Sequence, residues 1–123
     1  MEMNNAAPII SKEIFCEVLQ DDKITSSDTL RIFQVLYSAP KHELSATDIA
    51  KRIGWKDKMS VNARIVGLGK RIEKKYGIFP RIRDDGSRSY WDLFFTGYFK
   101  DDFFIFQFRP KLKKALEECG LVD

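Results

Sequence analysis

The chain has 123 residues, enough for one ordinary domain and too few for two. With 44% hydrophobic and 32% charged residues, it has the make-up of a folded chain, and no apolar run approaches the roughly 20 residues that span a bilayer. The net charge of +3 hides an uneven distribution: residues 1–50 carry four basic and eight acidic side chains, residues 51–88 twelve and four, residues 89–123 five and six. The opening MEMNNAAPII has no basic n-region and no long apolar core, so no secretory leader is expected and the expected location is cytoplasmic.

The first expected helix runs from about Ser11 to Gln20, with Ser11 as N-cap and Ile14, Phe15, Val18 and Leu19 as its apolar stripe. Its Cys16 lies 103 positions from Cys119, the only other cysteine. That pair makes neither a disulfide framework nor a zinc spacing, and it suits a reducing compartment. A second helix opens at Ser26-Ser27-Asp28 and stops at Pro40. Its stripe of Leu30, Phe33, Val35, Leu36 and Tyr37 is dense enough for the centre of a small core. His42 is the only histidine; with no ligand-spaced cysteine, acid or second histidine it reads as a surface residue.

The run SATDIAKRI has the spacing of a capping box between Ser45 and Asp48, and Gly54 ends it. After Trp55-Lys56-Asp57-Lys58 a longer helix is expected from Met59 to Tyr76, which makes the pair a helix-turn-helix candidate. On a helical wheel Val61, Ile65, Leu68, Ile72 and Tyr76 fall within an arc of about 80° and face the core. The opposite side holds Ser60, Ala63, Gly67, Lys70, Arg71 and Lys74, with Arg64 at its edge. Small side chains let a helix approach a groove, and lysine or arginine then neutralises phosphates or reads base edges. Gly67 and Gly69 each cost about 1 kcal/mol in a helix interior, which asks for close approach to a partner or tight packing.

Beyond this helix, Asp84-Asp85-Gly86-Ser87 is a turn signal. Ten of the 16 aromatic residues lie between Tyr90 and Phe108. A hairpin is expected from a strand over Arg88–Tyr98, a turn at Lys100-Asp101-Asp102 and a strand over Phe103–Arg109. In that register Trp91, Leu93, Phe95, Phe104, Phe106 and Phe108 point to the core. Tyr90, Phe94, Tyr98, Phe103 and Ile105 then form an apolar outer face, a candidate dimer or protein interface unless the first helix covers it. Pro110 opens a last helix that ends at Gly120, and a short stretch around Leu44 is placed to add a third strand.

The expected fold is therefore α+β, a winged helix-turn-helix in one domain. Its parts are N-terminal helices over 1–43, the helix-turn-helix over 44–76, the wing hairpin over 77–109 and a closing helix over 110–123. The expected partner is double-stranded DNA. Lys56, Lys58, Arg64, Lys70, Arg71 and Lys74 would neutralise phosphates, Asn62, Ala63 and Arg64 would contact bases, and Ser60, Gly67, Arg83 and Arg88 would lie at the same surface. Glu73-Lys74-Lys75 spells the E-x-K of some nuclease cores but sits on a helix without an acidic partner strand. No P-loop, dinucleotide fingerprint or nucleophile elbow is present, so neither catalysis nor a cofactor or metal is expected.

The run LSATDIAKRIGWKDKMSVNARIVGLGKRI, the Tyr-Trp hairpin and the ending FRPKLKKALEECGLV resemble a winged-helix module found beside HNH-type and other modification-dependent bacterial restriction endonucleases. The positions carrying the likeness are Ser45, Asp48, Ile49, Ala50, Gly54, Val61, Asn62, Arg71, Ile72 and Trp91. They continue through Arg109, Pro110, Leu112, Ala115, Leu116, Gly120 and Leu121, so the likeness covers about residues 44–122. It implies a DNA-binding role without catalysis, as a transcription regulator or the DNA-targeting part of a restriction or defence system. The hairpin is richer in phenylalanine than the module's usual form, and the chain has no room for the catalytic domain such modules accompany. The alternative is a protein-binding module, such as a phage-encoded inhibitor of a host defence complex, acting through the aromatic hairpin.

Overall fold

A computed structural model describes residues 7–123, so the expectation about a leader lies in part outside the described residues. Among the described residues the fold is α+β, with five α-helices and two small antiparallel sheets, of three and two strands. Helix α1 (Lys12–Gln20) starts where the Ser11 hydroxyl accepts the Ile14 N–H at 3.1 Å. Helix α2 (Ser27–Ser38) is capped in the same way by Ser26 from Thr29. Strand β1 (Glu43–Ser45) leads directly into α3 (Ala46–Ile53), whose cap is Ser45 accepting from Asp48 N–H at 3.1 Å. Gly54 then takes φ +92°, a left-handed turn that ends α3. Asp57 caps the long helix α4 (Lys58–Tyr76).

The segment after α4 departs from the expected single hairpin. Residues Arg81–Ile82 (β2) pair with Arg88–Ser89 (β3) around the Asp84–Ser87 turn, making a small ribbon of their own. The chain then turns through a 3₁₀ segment at Tyr90–Leu93 before β4 (Phe95–Lys100) pairs with β5 (Phe103–Phe108). Asp101 and Asp102 link them with φ of +50° and +68°, the signature of a tight hairpin turn whose twist matches its strands. β1 pairs with the far edge of β5, so the sheet order is β1-β5-β4. Helix α5 (Pro110–Glu118) closes the chain.

The 3₁₀ segment cancels the alternation expected from Arg88 to Tyr98. Leu93, Phe94 and Phe95 are consecutive and all buried. Two residues assigned to the outer face are therefore core: Tyr90 is 8% exposed and Phe94 1%. Phe94 packs against Phe15 of α1 and Phe33 of α2, with ring centroids 6.3 and 6.0 Å apart. Phe33 also meets Phe95 and Phe108, which makes α2 the central helix of the core. Ile32, absent from the expected stripe, is fully buried beside it.

The two cysteines, expected to make no disulfide framework, are brought together by the fold. Helices α1 and α5 lie side by side, and Cys16 and Cys119 are joined by a disulfide with their Cα atoms 6.4 Å apart. An ion pair between Lys12 and Glu118 at 2.7 Å reinforces the same contact and raises the Lys12 pKa. His42 is half-buried, its ring stacked on Tyr37 at 4.3 Å. No helix among the described residues is long and apolar enough to cross a membrane.

Candidate nucleic-acid interface

Helices α3 and α4 pack against one another across the Gly54–Asp57 turn. Val61, Ile65, Leu68, Gly69 and Ile72 turn α4 toward the core. Gly69 is there for packing, because the Tyr90 ring lies where a β-carbon would be, its Cδ1 2.6 Å from that position.

The basic residues of α4 and of the turn before it divide into two groups. One flank of the helix is committed to the fold. Arg64 donates to Asp28 at 3.3 Å and to the Ser60 carbonyl at 3.1 Å, and its guanidinium lies 4.3 Å from the centre of the Trp55 ring. Arg71 curls over Gly67 and donates from Nε to the Ile24 carbonyl at 2.6 Å. Lys75 reaches Asp21 at 3.3 Å. Together these side chains fasten the α1–α2 connection and the start of α2 to α4.

The outward face holds the second group. Lys56, Lys58, Asn62, Ala63, Lys70 and Lys74 are all exposed. None of these four lysines has an ion-pair partner among the described residues. Lys51 and Arg52, in the last turn of α3, are exposed as well. Ser60 and Gly67 are half-buried beside it.

The remaining cations of the expected site differ in their partners, Arg88 bonding a carboxylate of α4 and Arg83 only neutral oxygens of its own ribbon. Arg88 pairs with Glu73, whose carboxylate also accepts from the Tyr90 hydroxyl at 3.0 Å. Glu73 is thereby a bridge from α4 to the ribbon. Arg83 donates across its own turn to Ser87 at 3.2 Å and to the Arg88 carbonyl at 3.3 Å. Arg81 holds the buried Asp92 at 2.6 Å.

On the β4–β5 hairpin, Tyr98 and Phe103 are exposed and Ile105 is half-buried. The Tyr98 hydroxyl donates to Glu43 at 2.8 Å, which ties β4 to β1 across β5. That bond, with a second from Gln107, holds the Glu43 carboxyl below the usual glutamate range. The same pairing with Glu43 pushes the Tyr98 phenol up. Sequence reasoning missed Phe99, which is 77% exposed and forms the hairpin tip with Phe103 at 51%. Only Phe95, at the base of β4, reaches the core; the strand beyond it projects past the helices. Strand alternation carries no signal for where a strand outruns its core.

No protein-family model, curated protein or solved structure matches this chain.

Proposed function

We propose that this protein is a non-catalytic binder of double-stranded DNA that lays the outward face of α4 in the major groove. The observation that carries the reading is the segregation of charge on α4. The flank bearing Arg64, Arg71 and Lys75 is tied to the fold, while Lys56, Lys58, Lys70 and Lys74 stand free around the short side chains of Asn62 and Ala63. A helix with a small centre and cationic margins suits a groove, because phosphates line both edges of the bases it would read.

Two further features support it. The order α2-β1-α3-α4, with a later hairpin whose inner strand pairs with β1, supports reading the chain as a winged helix-turn-helix in which α4 would be the recognition helix and β4–β5 the wing. The likeness to restriction-associated winged-helix modules fits the same role, that of a regulator or the targeting component of a defence system.

The test is a salt titration of binding to a blunt DNA duplex, read by fluorescence anisotropy. Wild type is expected to lose affinity steeply as salt rises, and Lys70→Glu with Lys74→Glu to weaken binding and reduce the log–log slope by about 2. Equal binding by that variant and wild type would overturn the assignment of α4.

The second reading, capture of a protein partner by the hairpin, is favoured by the exposure of Phe99 and Phe103. Its test is Phe99→Ser with Phe103→Ser, at two exposed positions. The protein-partner reading expects those changes to abolish association in solution with the fold intact.

A further inference from the structure

A cleft of about 530 Å³ opens between the start of α4 and the tips of the two hairpins. Its volume lies in the range of small-ligand sites, about 300–1,000 Å³. One wall is aromatic. Trp91 and Phe104 meet edge to face with centroids 4.8 Å apart, and Phe104 meets the exposed Phe99 in the same way at 5.1 Å. Phe103 completes that wall at the mouth. Across from it stands α4, which contributes Asn62 and Val66. Lys58 and Arg83 supply two cations, and Asp102 in the hairpin turn is the sole carboxylate of the lining.

These groups match the face and the polar edge of a nucleotide's base and its phosphate. Aromatic faces stack on a planar base whatever its identity. A carboxamide both donates and accepts, so Asn62 can pair with the polar edge of a base. Lysine and arginine hold phosphate oxygens. Lys58 and Asn62 belong at once to this cleft and to the outward face of α4, so a strand lying along α4 passes its mouth.

We propose that the cleft receives one unpaired nucleotide of a DNA strand bound across α4, the base against Phe99 and Phe103 and the phosphate at Lys58 and Arg83. This rests on the DNA-binding reading of α4. A paired base has both faces stacked and its polar edge occupied, so the site selects strands in which a base is already free, as at an overhang.

The experiment uses Trp91 as reporter. The chain has two tryptophans, and Trp55→Phe leaves only the one lining the cleft. Three probes are titrated: a blunt duplex, the same duplex with a three-nucleotide thymidine overhang, and thymidine monophosphate alone. The overhang duplex is expected to quench Trp91 and to bind at least tenfold more tightly than the blunt one. Phe99→Ser with Phe103→Ser should remove both the quench and the tenfold preference, so that overhang and blunt duplexes bind alike; Phe99→Ser alone, at an exposed site, should reduce both.

Equal binding of the two duplexes without quenching overturns the cleft assignment and leaves the α4 reading standing. Failure to bind either duplex at low salt overturns both. Quenching by thymidine monophosphate at the affinity of the overhang duplex overturns the strand as its source, and a preference that survives the double serine variant overturns the aromatic wall.

Discussion

Arg71 donates from Nε to the carbonyl oxygen of Ile24 at 2.6 Å, a hydrogen bond between residues 47 positions apart. It pins the loop between α1 and α2 to the middle of α4, and it turns a residue expected to meet phosphate into one that holds the fold. The charge of Arg71 still adds to the positive surface, but its geometry is set by the protein.

Arg71→Ala is therefore expected to destabilise the fold by about 1.5–3 kcal/mol, the scale of a hydrogen bond from a charged donor. Lys74→Ala, at an exposed site with no ionic partner, should stay within about 0.5 kcal/mol of wild type. Urea unfolding of the two variants measures both.

The two glycines of α4 should respond in opposite ways to alanine. A β-carbon at Gly69 would lie 2.6 to 3.0 Å from ring and Cβ atoms of Tyr90, and overpacking there costs about 1–3 kcal/mol. At Gly67 it would meet the end of the Arg71 side chain at 3.2 Å. A small shift there leaves the gain in helix propensity, so Gly67→Ala should be neutral or stabilising by up to about 1 kcal/mol. Thermal melts of both variants decide the sign.

Reduction of the Cys16–Cys119 bond, which spans 103 positions, is expected to lower stability by about 2–5 kcal/mol. Denaturant curves with and without a thiol reductant measure it. Cys16→Ser with Cys119→Ser should reproduce the reduced curve and no longer respond to reductant.

Acid should loosen the same molecule at two places. Hydrogen bonds from Tyr98 and Gln107 hold Glu43 below its ordinary value of 4.5, and the Lys23 backbone N–H together with Lys75 holds Asp21 below 3.8. Folded pKa values lower than unfolded ones mean stability that is fully present above those ordinary values. It is lost as pH falls through the folded values. Stability is thus expected to decline below about pH 4, with a shallower acid limb for Glu43→Gln in pH-dependent urea melts.

Helix boundaries were legible because their causes are local. Ser11, Ser26 and Ser45 each cap a helix through a bond to the N–H three residues on. The core stripe of α4 was equally plain, since Val61, Ile65, Leu68 and Ile72 recur with the helical period. The hairpin was harder. Its aromatics are dense enough to satisfy any register, and the 3₁₀ segment at Tyr90–Leu93 follows from Tyr90 settling on Gly69 and Phe94 reaching α1 and α2. Those contacts are distant in sequence.

The α+β class, the basic middle, the helices and the aromatic hairpin follow from the residues alone, because caps, periodicity and turn residues act over a few positions. Which charges are free and which aromatics are exposed depends instead on contacts between distant parts of the chain. Arg64 and Arg71 differ from Lys70 and Lys74 through Asp28 and the Ile24 carbonyl, which fold back onto one flank of α4. Phe94 differs from Phe99 because the core ends between them. Partnership and burial are set by what the rest of the chain places alongside, and for these residues that neighbour lies tens of positions away.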